Sequence, residues 1–174
     1  MDYDSWAKDG LKDWSFENCL PYFKKLETFK GASSSWRGRS GPQSIEVARA
    51  DHPLNRAYLS AGTESGYRFT EDQNGKNQEG FHISQSFTKN GSRFSAADAY
   101  LKPIIQRKNL FIETNCMAKR IEFDGNRAVK IIAEKKGKNL EFEATREIII
   151  SCGAINTPQL MLLSGVGDPT HLRN

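Results

Sequence analysis

Two glycine-centred turns, Asp124-Gly125-Asn126 and Lys136-Gly137-Lys138, cut residues 119 to 143 into three short stretches, and this punctuation limits the fold more than any other feature. Lys119 to Phe123, Ala128 to Glu134 and Leu140 to Glu143 are each of strand length, and tight turns of this composition join antiparallel neighbours. The segment reads as a β-meander. What flanks it differs in kind. Glu147 to Ser151 carries three consecutive isoleucines, the pattern of a strand buried on both faces as parallel sheets require. It runs into Cys152-Gly153-Ala154, after which Thr157-Pro158 is placed to cap a short helix ending at Gly165. Leu110 to Thr114, ahead of the meander, is also strand-like.

The first hundred residues predict short helices and loops. Ser15 before Phe16, Glu17 and Leu20 is a plausible N-cap, and Pro21 suits the first position of a second short helix through Leu26. Gly31 to Pro42 has neither helical nor strand period and reads as loop, followed by a strand at Ser44 to Val47. His52-Pro53 opens a helix that stops at Gly62. Phe69 to Gly80 is a turn-rich loop, and Phe81, Ile83 and Phe87 then alternate as in a half-buried strand that turns at Asn90-Gly91. Ser95 and Asp98 have the spacing of a capping box for a helix that Pro103 ends. The expected class is mixed, α+β with α/β character.

With 174 residues the chain predicts one domain or one large piece of a bigger protein. Charged residues at 26% and a net charge of +4 exclude collagen-like and disordered classes. The apolar residues are unevenly placed, sparse from 30 to 95 and crowded in the last quarter, which hints at missing neighbours. No apolar run approaches the roughly 20 residues that cross a bilayer, so no transmembrane helix is expected. The first residues, Met1 to Trp6, lack both the basic start and the apolar core of a signal peptide. Cys19, Cys116 and Cys152 are odd in number and form no C-x-x-C, against a disulfide framework or a zinc site, and no metal ligands are assigned. A reducing, intracellular compartment is the default.

A strand that breaks into a small-residue turn and then a helix start is a geometry used for nucleotide cofactors, with Gly153 and Ala154 letting a ligand approach the backbone. The same pattern serves as a plain structural turn, and both readings stay open here. His52, His82 and His171 pair with no nearby Cys, Ser or carboxylate at ligand or triad spacing and read as surface or helix-cap residues. Lys135, Lys136 and Lys138 lie at a hairpin tip where solvated charge is expected, so nucleic acid is not among the expected partners. Glu71 and Asp72 sit in a polar loop. The G-x-G-x-x-G fingerprint is absent, because Gly165-Val166-Gly167 continues as Asp168-Pro169-Thr170.

Gly153-Ala154-Ile155-Asn156-Thr157-Pro158-Gln159-Leu160-Met161-Leu162-Leu163-Ser164-Gly165-Val166-Gly167 resembles the second signature of the glucose-methanol-choline family of FAD oxidoreductases. The resemblance extends over essentially the whole chain, through Asp2 to Trp6, Leu20 to Phe23, Gly41-Pro42, Arg93 to Leu101 and Asn109-Leu110. Asp51-His52-Pro53-Leu54 and the string Thr70 through Phe81 are most similar to the choline-oxidising branch.

The resemblance implies a fragment of a Rossmann-like FAD-binding domain with its meander, plus part of an antiparallel-sheet substrate domain. Residues 1–41 would link the two, 42–103 would belong to the substrate domain and 104–174 to the FAD domain. It also implies an internal piece: the family's glycine-rich fingerprint lies upstream, and its catalytic histidine lies downstream of Asn174, so no catalytic residue is assigned within the chain. Ala118 stands where the family usually has a valine whose backbone meets the FAD adenine, and Cys152, read as a packing substitution, stands where it has a small residue. Ala118, Cys152, Gly153 and Ala154 are the implied cofactor contacts. The implied chemistry is hydride transfer from an alcohol carbon to the flavin as a histidine removes the hydroxyl proton. Choline is the first substrate; another alcohol, or a truncated non-catalytic product of such a gene, is the alternative. The electron acceptor stays open, and membrane-associated or mitochondrial placement is compatible with the resemblance. A quaternary ammonium would call for aromatic faces, and the sequence leaves open whether Phe81, Phe87 or a tryptophan supplies one.

Overall fold

A computed structural model describes residues 2–173, which divide after Leu110 into two compact units. The first opens with helix α1 (Asp2–Lys8), a 3-10 turn at Lys12–Trp14 and helix α2 (Phe16–Leu26). Ser15 caps α2 by accepting from the Asn18 N–H, as its sequence position predicts, and Asp4 accepts from the Phe16 N–H at 3.1 Å. Tyr3 meets Trp6 and Phe23 edge-on at 5.1 and 5.7 Å, so the two helices share an aromatic seam. The expected pair of short helices is instead this one helix, which runs through Pro21. A proline inside a helix forfeits one backbone hydrogen bond. The Ser15 cap, the buried Cys19 and the aromatic seam hold the helix on both sides of that gap.

Strands β1 (Glu27–Phe29) and β2 (Gln43–Val47) pair in parallel, and β3 (Gln85–Ser86) adds antiparallel to β2. Their inward side chains, Phe29 and Ile45, form the core with Cys19. Helix α3 (Pro53–Glu64) begins under His52, whose Nδ1 accepts from the Leu54 N–H. It passes the expected stop at Gly62 and ends two residues later, where Gly66 and Tyr67 donate to the carbonyls of Thr63 and Gly62 in a Schellman arrangement.

Of the half-buried strand expected over Phe81 to Phe87, only the two residues of β3 form. Phe81 makes only an isolated bridge to Phe69, and Phe87 is 56% exposed. The reason lies in α3. Phe81 packs on Tyr58 and Tyr67 at 5.2 and 5.6 Å, and so close to Gly62 that a β-carbon there would sit 2.6 Å from the ring. That contact draws Phe81 out of line with β3. A small hairpin, β4 (Thr88–Lys89) and β5 (Ser92–Arg93), turns at Asn90-Gly91 as expected. Both halves of the capping box are present, Asp98 N–H to Ser95 Oγ and Ser95 N–H to Asp98 Oδ2, but the helix it starts is a single π turn, Ala97–Leu101. Pro103 then lies inside a following 3-10 turn, Lys102–Ile104.

Glu46 on β2 holds that hairpin in place. Its carboxylate accepts from Lys30 Nζ at 2.7 Å and from the Asn90 and Gly91 N–H groups at 3.1 and 3.4 Å. The Lys30 hydrogen bond first, then the Asn90 N–H, pull its pKa from 4.5 to about 2. Because the folded value is the lower one, the contribution is fully present above the ordinary value of 4.5 and is lost as pH falls towards 2. Amide resonances of Asn90 and Gly91 in the full-length protein are therefore expected to hold steady from neutral pH down to the ordinary carboxylate range and to move only below it. Glu46→Gln should abolish that titration, and a transition at ordinary carboxylate pH in the parent would contradict the anchor.

The second unit contains the meander as read from the sequence: β6 (Met117–Asp124), β7 (Arg127–Lys135) and β8 (Lys138–Glu143), antiparallel in order. The connections are the two-residue loops Gly125-Asn126 and Lys136-Gly137. Both Lys136 and Gly137 have positive φ, 52° and 75°, as a type I′ hairpin turn requires. Helix α4 (Gly153–Leu163) packs on β6, and Ser164 pins the contact by accepting from the Ile121 N–H at 2.8 Å while donating to the Leu160 carbonyl. Ile121, Ile132, Ala133 and Leu160 are the buried apolar residues here. One face of the sheet is charged: Lys130 lies between Glu122 and Glu143 in register and reaches Glu141 at 2.6 Å, and Arg120 holds Glu122. Lys135, expected to be simply solvated, pairs with Glu113.

Three expectations fail in this unit. Leu110 to Thr114 and Glu147 to Ser151 are unpaired, and Ile149 is 76% exposed. A strand is a property of a ladder, and neither segment has a partner strand among the described residues. Helix α4 starts at Gly153, five residues ahead of Pro158, because Thr157 Oγ1 accepts from the Cys152 N–H and closes the first turn from within. Its far end is as expected, with Gly165 and Val166 donating to Leu162 and Met161 in a Schellman arrangement. A short helix α5 (Pro169–Leu172), capped by Asp168, follows.

Candidate functional site

The Cys152-Gly153-Ala154 turn is the point where segment 148–150, half-buried at Ile148 and Ile150 and exposed at Ile149, meets α4. Gly153 has a φ of +86°, a conformation L side chains rarely adopt, so the turn needs glycine for its backbone. A β-carbon at this glycine would meet nothing within 4 Å. Open space therefore lies beside the glycine, enough for a ligand to reach the backbone. Cys152 at the N-cap position makes no side-chain capping bond, and Cys152, Gly153 and Ala154 are all exposed. An uncapped helix start next to an open glycine offers N–H donors and a positive dipole end, which fits the phosphate groups of a dinucleotide.

Ala118 sits in β6, half-buried, opposite the buried Ala133. Between Ala118 and Arg120 the register shifts, so Lys119 is an extra residue in the ladder. A bulge of this kind bends the strand and frees backbone groups from pairing, and bulges concentrate near binding sites. Ala118 and the turn thus belong to one packed pair, β6 and α4. None of the hydrogen bonds or ring contacts among the described residues joins them directly.

A second arrangement, in the first unit, escaped the sequence. Arg37, with a side chain only 2% exposed, donates from Nε and Nη2 to the two oxygens of Glu27 at 2.8 and 3.0 Å. Its Nη1 reaches Asp72 Oδ1 at 2.5 Å and Gln85 Oε1 at 2.7 Å, and its guanidinium stacks on the Phe29 ring at 3.7 Å. Burial alone would lower the Arg37 pKa; the hydrogen bond and charge of Glu27, then those of Asp72, outweigh it and raise it. Asp72, in a stretch that reads as a polar loop, shares a buried guanidinium with a second carboxylate, and its Oδ2 is buried without a hydrogen-bond partner among the described residues. The partners lie 10, 35 and 48 positions from Arg37, and no local pattern marks such pairings.

Known proteins resemble this chain along its whole length. An oxygen-dependent choline dehydrogenase of Staphylococcus xylosus is 45% identical over 177 residues, covering 100% of this chain and 31% of that protein. The mitochondrial choline dehydrogenase of Mus musculus is 41% identical over 172 residues, 99% of this chain and 29% of its own length. The chain thus spans about a third of the curated relatives it matches. Among solved structures, an FAD-dependent oxidoreductase from Chaetomium thermophilum aligns with a TM-score of 0.91 at 26% identity, over 99% of this chain and 32% of that one. Pyridoxine 4-oxidase from Mesorbium loti aligns with a TM-score of 0.88 at 29% identity, over 99% and 34%. Residues 1–173 match the family description GMC oxidoreductase, and the chain accordingly belongs to the GMC oxidoreductase family, a flavin-dependent group with the mixed helix and strand fold seen here.

Proposed function

We propose that the full-length protein is an FAD-dependent alcohol dehydrogenase that oxidises choline to betaine aldehyde. The observation that carries the reading is identity of 41 to 45% to choline dehydrogenases along the whole of this chain rather than at a signature alone. When bound, FAD supplies the hydride acceptor. This chain's part is to hold and orient it: Ala118 by its backbone beside the Lys119 bulge, Cys152 by its small side chain, and Gly153 and Ala154 by backbone N–H groups. In this reading residues 104–174 belong to the FAD-binding domain, 42–103 to the substrate domain, and 1–41 join them. The base that takes the hydroxyl proton lies in polypeptide beyond these 174 residues.

Anaerobic mixing of the full-length flavoprotein with choline is expected to bleach the flavin's visible absorbance and yield betaine aldehyde. A second reading draws on the structural likeness to pyridoxine 4-oxidase, at a similar fold but lower identity. Flavin reduction by pyridoxine and not by choline would replace the choline reading with it. Reduction by neither, in a protein that retains flavin, would overturn both.

A further inference from the structure

Strand β6 is the edge of its three-stranded sheet, so one row of its backbone groups has no neighbouring strand among the described residues. The pairing register identifies the residues of that row. In an antiparallel ladder, pairs that exchange hydrogen bonds alternate with pairs whose N–H and C=O groups point outward. The Ile121 N–H leaves the ladder and donates to Ser164 Oγ at 2.8 Å, so the Ile121–Ile131 pair is of the outward kind. Arg120–Ile132, the next pair back, is then the bonded kind, and Ala118–Ala133, which precedes it across the Lys119 bulge, is outward again. Without the bulge Lys119 would take that place, and Ala118 would turn its backbone into the sheet. The extra residue therefore puts the backbone of Ala118 on the same open edge as that of Ile121.

Ser164, at the far end of α4, reaches that edge. Its hydroxyl spends its one proton on the Leu160 carbonyl at 2.6 Å, which leaves a lone pair for the Ile121 N–H. Among the described residues this is the one hydrogen bond between the end of α4 and β6. The rest of that packing is apolar burial, with Ile121 and Leu160 at its centre, and apolar burial has no preferred direction. A helix held by it alone is free to slide or roll on the strand. We infer that Ser164 is a positioning residue for the flavin nucleotide: by fixing the Ile121 N–H it keeps the open edge of β6, Ala118 included, in one place relative to α4 and the turn that starts it. The inference deepens the reading proposed above and rests on its assignment of Ala118 and the 152–154 turn to the flavin.

The test uses full-length protein stripped of its flavin, with FAD binding followed by quenching of flavin fluorescence and stability by the urea midpoint. Ser164→Ala is expected to weaken FAD about tenfold, the order set by one backbone donor left without its acceptor. Ser164→Thr, which keeps the hydroxyl, should recover most of that loss. Ala118→Pro deletes the outward N–H at an edge position where a strand tolerates proline, and it should weaken FAD by itself. Because Ser164 acts through the same edge, adding Ser164→Ala to Ala118→Pro should cost less than about threefold more. A purely structural Ser164 would lower the urea midpoint and leave the FAD dissociation constant where it was; that result, or full multiplication of the two losses in the double variant, overturns the inference. Should Ser164→Ala fail to fold, Ser164→Cys, whose sulfur is a weaker acceptor, carries the same comparison. The two readings fail separately. Undiminished FAD binding by Ala118→Pro would refute the cofactor assignment of Ala118, whereas a loss there with an indifferent Ser164→Ala would refute the positioning role alone. Neither result depends on which alcohol reduces the flavin.

Discussion

Replacing Arg37 with alanine is expected to destabilise the folded protein by about 3–5 kcal/mol, the range for breaking a buried ion pair by removing one partner. The size follows from what stays behind. Glu27 and Asp72 would face one another without the guanidinium that now makes four hydrogen bonds between β1, the 72–75 turn and β3. The Phe29 ring would lose the group stacked on it at 3.7 Å. Arg37→Lys keeps the charge but not the fork, and a single ammonium cannot reach both Glu27 oxygens, Asp72 and Gln85 in these directions. It should recover less than half of the loss. Asp72→Asn, which removes one negative charge and keeps a donor and an acceptor in place, should cost far less than Arg37→Ala. Urea midpoints of the full-length protein and its variants measure all three, and a loss under about 1 kcal/mol for Arg37→Ala would show that the cluster does not hold these segments together.

The legible and illegible parts of this chain separate along one physical line. Most turns and caps decided within a few residues are legible in the sequence, although Pro21 does not break α2 and Gly62 does not end α3. The Ser15 cap, the Ser95 and Asp98 capping box, the Asn90-Gly91 and Lys136-Gly137 turns and the Gly165 helix end are local hydrogen-bond arrangements, and their residue types are nearly sufficient for them. Features decided by a distant partner are not. Ile148 to Ile150 has the composition of a buried strand and no ladder, and Phe81 has strand alternation but packs on Tyr58, Tyr67 and Gly62 of the α3 end. Arg37 sits in a stretch read as featureless loop, and its importance comes entirely from Glu27, Asp72 and Gln85. The Cys152-Gly153-Ala154 turn falls between these cases. Its glycine and small residues are visible in the sequence, but the helix start at Gly153 depends on the Thr157 hydroxyl, whose position beside Pro158 reads as the cap of a later start.

In the full-length protein, Gly153→Val is expected to abolish flavin retention, while Lys136→Ala at the β7–β8 loop leaves it unchanged. The argument has two parts. A valine at a φ of +86° is strained, by about 1–3 kcal/mol for a residue forced into so sparse a region, so the turn must either hold that strain or move. The new side chain also enters space that is open in this chain, the space through which a cofactor would approach the backbone. Strain and blockage can be told apart with Gly165→Val. Gly165 has a similar φ of +79° and equally open surroundings, but it closes the opposite end of the same helix. If strain alone unseats the flavin, both valines should do so; if Gly153 faces the cofactor, Gly165→Val should lower stability and keep most of the flavin. Flavin absorbance per mole of folded protein, with circular dichroism to confirm the fold, decides between them. A full complement of flavin in Gly153→Val would make this turn a structural one, and the assignments of Cys152, Gly153 and Ala154 to the cofactor would fall with it.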